Sequence, residues 1–162
     1  MKLNLYHPNA KGTWSALSVE LVPATTNATG RIVLRLKPQK ESLSTSFDDS
    51  KEIIVQLDVF DVAEFLKVFR GCEESIADGK GLFHWTTDAN FVIKLEHVIK
   101  LEHRIEPRPG YILEISTKEN NPEGLIWRSQ FFINPSEALV LNEIFSSSLV
   151  YMAFGIPPMF KE

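Results

Sequence analysis

The sequence predicts an α+β fold in which a strands-then-helix unit occurs twice, giving two antiparallel β-sheets with helices packed behind them. Two observations predict this class. In the first half of the chain, apolar residues alternate with polar ones at the two-residue period of half-buried strands, and then change to the 3.6-residue period of a helix. In the second half the same change occurs again, after further segments typical of strands.

Three strands are predicted in the first half. Residues 15–21 and 31–37 alternate between apolar and other side chains, and residues 53–57 form the third strand. Residues 23–30 between the first two strands are a polar turn, and residues 38–51 before the third are a polar loop. The alternation predicts that each strand buries one face and turns the other to solvent.

The first helix is predicted from the spacing of four apolar residues, namely Val62, Phe65, Leu66 and Phe69. Asp58 precedes them and suits the N-cap position, where a side-chain oxygen accepts a hydrogen bond from an unpaired backbone N–H. Gly71 follows them and suits the C′ position, where the backbone is left-handed. We therefore expect the helix between these two residues.

The second half is predicted to contain four strands and the helix that the sequence signals more clearly. The helix starts after Asn134, with Pro135 suited to the first helical position and Glu137 to the third, as in a capping box. Gly155, followed by two prolines, ends the helix. The predicted strands are residues 82–86, 91–101, 111–117 and 127–133.

The two strand-to-helix junctions resemble each other. Asp58 aligns without a gap with Asn134, and Asp61 aligns with Glu137. We therefore expect a single domain with an internal duplication. The domain spans residues 1–162, and the two repeats are about residues 14–77 and 82–155.

The composition limits the class of protein. The chain has 162 residues, 44% of them hydrophobic and 23% charged, as in ordinary globular domains. The single cysteine, Cys72, excludes an internal disulfide and a cysteine-based zinc site within one chain, and it fits a reducing compartment. The net charge of −4 argues against coverage of duplex DNA by bulk electrostatics, but a local basic groove can still bind single strands.

Signatures of catalysis and metal binding are weak. No glycine-rich phosphate loop is present, and residues 146–148 (SSS) lack the strand–turn–helix frame of a nucleophile elbow. His97 and His103 would share one strand face but stand roughly 20 Å apart, too far for one metal. We expect both histidines to be solvated or at a sheet edge, and we expect no enzyme, no cofactor and no metal site.

Targeting segments are not recognisable in the sequence. The first residues, MKLNLYH, contain no apolar stretch of a signal peptide and lack the Arg- and Ser-rich character of a transit peptide. No apolar run reaches the roughly 18 residues that span a bilayer. We therefore expect a soluble, cytoplasmic protein without a membrane partner.

Residues 11–21 read KGTWSALSVEL, and this segment resembles the lysine–glycine … alanine–leucine–serine–valine–glutamate opening of the Whirly family. Pattern-level agreement continues in order over roughly residues 9–156. The resemblance implies a single-stranded-DNA-binding protein with two antiparallel sheets and helices behind them. Thr13, Trp14 and Ser15 stand where the plant proteins have a second lysine and two alanines. The sequence also shows no recognisable transit peptide and no acidic or aromatic C-terminal tail, so we expect a bacterial, phage or shortened relative.

Single-strand binding needs cations that position phosphates and exposed aromatic rings that stack on bases. The cationic candidates, which strand parity turns outward, are Arg31, Arg35, Lys37, Lys94 and Lys100. The aromatic candidates, which lie on or beside strands, are Trp14, Phe83, Trp85 and Trp127. The motif that resembles the Whirly opening adds Lys11 and Ser18.

The orientation of the strand at residues 82–86 decides whether its two rings are available. Phe83 and Trp85 face outward if Leu82 faces the core, because side chains alternate along a strand. The opposite assignment, with both rings in the core and His84 in solvent, stays open at this point.

These features predict sequence-tolerant binding of single-stranded DNA, in a protective, repair or transcriptional role. One alternative is RNA binding through the same fold, as in the related mitochondrial guide-RNA-binding proteins. Another is a protein-interaction module, which the acidic net charge favours. If acids such as Glu20, Glu96 or Glu114 neutralise the cations of residues 31–37, the predicted groove does not exist.

The last helix predicts an assembly. Between Ala138 and Phe154 its apolar residues leave little polar face. A helix that is apolar nearly all round is typically buried, and one chain of this size has limited means to cover it. We therefore expect a homo-oligomer, and the Whirly resemblance implies a tetramer packed through its helices.

Overall fold

A computed structural model of the chain describes residues 2–7, 15–40, 47–87, 94–119, 124 and 126–155. Within these ranges the chain forms two four-stranded antiparallel sheets, and the strands of each sheet lie side by side in chain order. The first sheet contains β1 (Lys2–Tyr6), β2 (Ser15–Val22), β3 (Arg31–Pro38) and β4 (Ile53–Leu57). The second contains β5 (Leu82–Thr87), β6 (Lys94–Arg104), β7 (Gly110–Glu119) and β8 (Ile126–Ile133). Helix α1 (Val59–Phe69) follows the first sheet and α2 (Pro135–Phe154) the second, so the predicted α+β class is confirmed.

Each helix begins at the capping box that the sequence predicts. The Asp58 side chain accepts hydrogen bonds from the backbone N–H groups of Phe60 and Asp61, and the Asp61 side chain accepts one from the Asp58 N–H. Asn134 and Glu137 exchange the same two hydrogen bonds at the start of α2. Both halves thus have the same order of sheet, cap and helix, while the internal duplication and the single domain stay predictions.

The observed strands differ from the predicted ones mainly at their ends. Strand β1 was not predicted: its five residues supply only Leu3 and Leu5 as apolar positions, which is too short a pattern to indicate a strand. It forms because it pairs antiparallel with β2 at the edge of the sheet. Strands β6 and β7 pair over ten residues, so each extends the other beyond the predicted limits. Residues 91–93 of the predicted strand lie outside the described residues.

The core lies between the inner faces of the sheets and the two helices. Phe65 of α1 packs against Phe145 of α2 with ring centres 5.5 Å apart, and Phe69 adds an edge contact to the same ring at 6.0 Å. Strand β8 packs against β2 and β3, where a hydrogen bond joins the buried hydroxyls of Ser15 and Ser129. The side of each sheet that is turned away from this core is called its outer face below.

Helix α2 buries one side and exposes apolar residues on the other. Leu141, Phe145 and Met152 are buried. Val150 and Phe154, by contrast, are 60% and 86% exposed. A single chain therefore leaves an apolar helix face uncovered, as the sequence predicts. Among the described residues, no helix combines the length and the apolar character needed to cross a membrane.

Candidate nucleic-acid interface

Two aromatic rings project from the outer face of the second sheet. Leu82 packs against the core, so its neighbours along β5 alternate, and Phe83 and Trp85 point away from the core. Phe83 is 59% exposed and Trp85 is 52% exposed. The assignment that buries both rings is therefore wrong. Large aromatic side chains left this open to solvent on one strand are unusual unless they meet a partner.

Basic side chains lie beside these rings on the same outer face. The Nζ atom of Lys94 lies 3.9 Å from the centre of the Trp85 ring. Lys100 is exposed further along β6, and Lys118 of β7 lies opposite Glu96, the residue that pairs with Trp85. One row of paired residues crosses all four strands and leads from Phe83 to Arg128 of β8. The residues between them in this row are Val98 and Ser116. Cations and rings thus share one surface.

Acidic groups reach this face without neutralising all of its cations. Glu114 accepts a hydrogen bond of 2.5 Å from the Gln130 side chain and lies 3.9 Å from Arg128. Within the described part of the chain, neither Lys100 nor Lys118 forms an ion pair with a carboxylate. The register nevertheless places Glu114 opposite Lys100 and Glu96 opposite Lys118, so charges of both signs lie next to the exposed rings.

The first sheet is different, because its outward cations are paired with acids. The guanidinium of Arg35 lies 3.9 Å from Glu20. Lys37 Nζ lies 2.6 Å from Asp49 and 3.7 Å from Glu52. The hydrogen bond that Lys37 donates to Asp49 is the main cause that raises the pKa of Lys37, and the Glu52 carboxylate adds to it. The neutralisation that would abolish a basic groove therefore occurs at Arg35 and Lys37.

The remaining sequence-predicted residues fall in three places. Arg31 lies on the outer face of the first sheet opposite Val22, and Ser18 lies on the same face opposite Arg35. Trp127 is on the inner side of β8, opposite Thr117, where it is half-buried and packs against the core. The structure therefore separates Trp127 from the exposed pair on β5. Lys11 and Trp14 lie outside the described residues.

Three residues of the second-sheet face are not among the site residues predicted from the sequence. Ile126, which is 65% exposed, and Lys118 lie one residue beyond the predicted ends of β8 and β7. Arg128 lies inside a predicted strand, and its parity opposite to Phe131 and Ile133 already indicated an outward side chain. Extending the alternation by one residue would have found Ile126 and Lys118, and parity within the predicted strand would have found Arg128.

His84 of β5 and His97 of β6 each contact a polar side chain. His97 is buried, not solvated as expected, and its ring nitrogens lie 3.0 Å from the Thr86 hydroxyl and 2.9 Å from that of Thr117. Burial lowers the pKa of His97. His84 Nε2 lies 3.1 Å from Asp61, and this hydrogen bond raises the pKa of His84. Among the described residues, no group of three metal-ligating side chains comes together.

Comparison with known proteins identifies the fold. No protein-family model matches the chain, and no curated protein matches it by sequence. Solved structures do match. WHY3 from Arabidopsis thaliana superposes with a TM-score of 0.71 at 18% identity, over 96% of this chain and 89% of that one. The fold is Whirly-like.

Two further structures share this Whirly-like fold. The plant transcriptional regulator PBF-2 superposes with a TM-score of 0.63 at 16% identity, over 94% of this chain and 81% of that one. The trypanosomal MRP1/MRP2 structure (Trypanosoma bruciei) gives a TM-score of 0.57 at 16% identity, over 96% and 94% of the two chains. The resemblance found in residues 11–21 therefore extends to the architecture of both sheets.

Proposed function

We propose that this Whirly-like chain binds single-stranded DNA, with little sequence preference, across the outer face of its second sheet. The observation that carries the proposal is the pair of exposed rings, Phe83 and Trp85, with Lys94 seated against one of them. Bases stack on such rings whatever their identity, because every base has a π-face. Lys100, Lys118 and Arg128 position phosphates along the same surface.

The fold supports a binding protein rather than an enzyme. One neighbour is described as a transcriptional regulator, and we extend that role to this chain as the first of its possible cellular roles, with protection and repair of single strands after it. The cytoplasmic location and the bacterial or phage origin stay predictions from the sequence.

We also propose that the chain acts as a homo-oligomer, with a tetramer favoured. The exposed apolar residues of α2 support this, because Leu139, Val150 and Phe154 are open to solvent in one chain and a second copy would bury them. Assembly would place several second-sheet faces on one particle. Binding of one strand by several subunits would then raise the overall affinity without any new contact.

The test is fluorescence anisotropy of a labelled ~30-nucleotide thymidine oligomer, a length that covers more than one site of roughly 4–16 nucleotides. We expect binding that weakens with added salt, that unlabelled duplex fails to compete, and that falls in Trp85→Ala. Matched RNA as competitor identifies the preferred sugar, because the 2′-hydroxyl is the group that differs. Absence of binding at low salt would overturn the proposal.

A second candidate is a protein-interaction module, and the first sheet favours it. Its outer face carries the ion pairs Arg35–Glu20 and Lys37–Asp49, which suit a mixed-charge protein surface better than a phosphate chain. The two candidates differ in one measurable property. A protein partner that binds the first sheet would be insensitive to Trp85→Ala, whereas the binding of single strands would not.

A further inference from the structure

The outer face of the first sheet contains a concavity of about 340 Å³. It forms because β2 supplies two small side chains, Ala16 and Ser18, between longer ones on its neighbours. Ala16 lies between Tyr6 of β1 and Lys37 of β3 in the register of the sheet. Ser18 lies opposite Arg35 in the next row. The sequence of β2 therefore dictates a hollow at the middle of the face.

The wall of this concavity is aromatic on one side and ionic on the other. Tyr6 is 57% exposed, and its ring centre lies 5.8 Å from that of Phe47, which also lines the hollow. Across from them, Lys37 Nζ contacts Asp49 Oδ1 at 2.6 Å and Glu52 Oε1 at 3.7 Å. Each carboxylate contacts the lysine through one oxygen, which leaves its second oxygen as an acceptor for a ligand.

Two polar atoms at the floor lack partners within the described structure. They are the hydroxyl of Ser18 and the Nε atom of Arg35, both removed from solvent. A buried polar group without a hydrogen bond is costly, and native proteins keep few of them. Because solvent does not reach these two atoms, a ligand in the hollow would contact the groups around them, chiefly the rings of Tyr6 and Phe47 and the carboxylates of Asp49 and Glu52.

The chemistry of this concavity selects one class of ligand. Its volume lies at the lower end of the range for small-molecule sites, and it accepts a flat ring together with a sugar. A flat ring can stack beside Tyr6. Its edge would meet a donor, Arg35, and the acceptor oxygens of Asp49 and Glu52. Guanine fits best, because its ring N–H and exocyclic amino group are adjacent donors that one carboxylate can accept together, while its O6 and N7 accept from basic side chains.

We propose that this concavity binds a single guanine of the bound strand and gives the protein a preference at one position. The inference rests on the proposed function, because the guanine would belong to a single strand that the protein binds. It assigns the ion pairs of the first sheet a role in base recognition, whereas the second sheet supplies sequence-tolerant affinity. Thymine fits the hollow poorly, since it lacks an exocyclic amino group.

The first experiment compares two oligomers, a ~30-nucleotide thymidine oligomer and the same oligomer with one central guanine, both measured with the full chain by anisotropy. We expect the guanine to raise affinity at least about fivefold, the lower end of what one good base contact gives. Equal affinity for the two oligomers would overturn the pocket and leave the proposed function standing. A larger gain from adenine or cytosine would overturn the guanine assignment.

Two variants test whether the preference for guanine arises in this concavity. Ser18→Leu fills the floor of the hollow and should remove the gain from guanine while binding of the thymidine oligomer persists. Glu52→Gln keeps the shape but replaces an acceptor with an amide, and it should also remove the gain. Gln56→Leu lies on the same outer face, outside the concavity, and should keep it. A preference that survives in both Ser18→Leu and Glu52→Gln would overturn the proposal.

A mononucleotide titration separates failure of the pocket from failure of the proposed function. Deoxyguanosine monophosphate is titrated into the full chain and into Ser18→Leu, and binding is followed by saturation-transfer NMR. Binding to the wild type alone supports the pocket, even if no oligomer binds and the proposed function has failed. Equal signals from both proteins, or from thymidine monophosphate as well, would overturn the pocket.

Discussion

Lys94 Nζ lies 3.9 Å from the centre of the Trp85 ring, so a cation and an exposed aromatic face meet at one point on the second sheet. The contact follows from the register, in which Trp85 pairs with Glu96, and Lys94 lies two residues before Glu96 on the same face of β6. A cation–π contact at an exposed site contributes about 0.5–1 kcal/mol. This is enough to hold the ring in a preferred orientation before any nucleic acid arrives. Pre-orientation lowers the entropy that stacking would otherwise cost.

Replacing Trp85 by alanine is expected to weaken binding of single strands. One stacked base contributes about 1–3 kcal/mol, so the dissociation constant should rise roughly 5- to 150-fold. Trp85→Phe keeps a ring and should lose less. The measurement is anisotropy of the thymidine oligomer at fixed salt, with thermal unfolding as a check, because an exposed residue should change stability little.

The control for this variant is an exposed aromatic residue elsewhere. Phe60 on α1 is 79% exposed and lies on a helix rather than on the second sheet. Phe60→Ala should leave the dissociation constant unchanged. A loss of similar size in Phe60→Ala and Trp85→Ala would mean that neither reports stacking.

Replacing Lys100 by glutamine is expected to change the salt dependence of binding. For single strands, the slope of log affinity against log salt is about −0.7 for each phosphate that the protein neutralises. Removal of one contact should therefore make the slope shallower by about 0.7. Lys67→Gln is the matched control, since Lys67 lies on α1 and is paired with Glu64 and Glu73. Identical slopes for Lys100→Gln and the wild type would exclude a phosphate contact at Lys100.

The fold could be predicted from the sequence because its signals are local. Alternation, the two capping boxes and the glycine at the end of each helix are all read within a few residues. Strand β1 escaped because its stability comes from pairing with β2, a contact that the local pattern of five residues does not encode.

The candidate site could be predicted only in part, because it depends on which residues face each other across strands. Parity identified the cations of both faces, but it could not show that Lys37 is held by Asp49, twelve positions away in the chain. It also could not separate Trp127, which packs inward, from Trp85, which is exposed. The hollow at Ala16 exists only because Tyr6 and Lys37 flank it in the register.

His84 is expected to make stability depend on pH. Its ring contacts Asp61, and the hydrogen bond raises the pKa of His84 although burial opposes it. The folded state therefore holds this proton more tightly than the unfolded state, whose histidine pKa is about 6.5. The stabilisation is complete below that pH and is lost as pH rises through the raised pKa of the folded state.

The measurement compares the free energy of unfolding in urea for the wild type and His84→Gln at about pH 6 and about pH 8.5, on either side of the reference value. The difference between the two proteins should be larger at the lower pH. His97 acts in the opposite direction, because burial lowers its pKa and the folded state resists protonation there. The charge of His84 is a second cause of this lowered pKa, so the comparison reports the contact of His84 with Asp61 together with its repulsion of His97. An unchanged difference at the two pH values would contradict the assigned ion pair.

The hydrogen bond between the Ser15 and Ser129 hydroxyls is expected to show strong coupling in a double-mutant cycle. Both side chains are buried, and the bond joins β2 of the first sheet to β8 of the second. Ser15→Ala leaves the Ser129 hydroxyl buried without this partner, which costs about 1–3 kcal/mol, and Ser129→Ala does the same to Ser15. The double variant leaves neither hydroxyl and should be less destabilised than the sum of the two single variants. Urea unfolding of the four proteins gives the coupling energy.

Ser148 provides the control, because it is equally buried but donates to the Ile144 carbonyl within α2. The effect of Ser148→Ala should therefore add independently to that of Ser129→Ala. Additive effects of Ser15→Ala and Ser129→Ala would show that the bond does not hold the two sheets together.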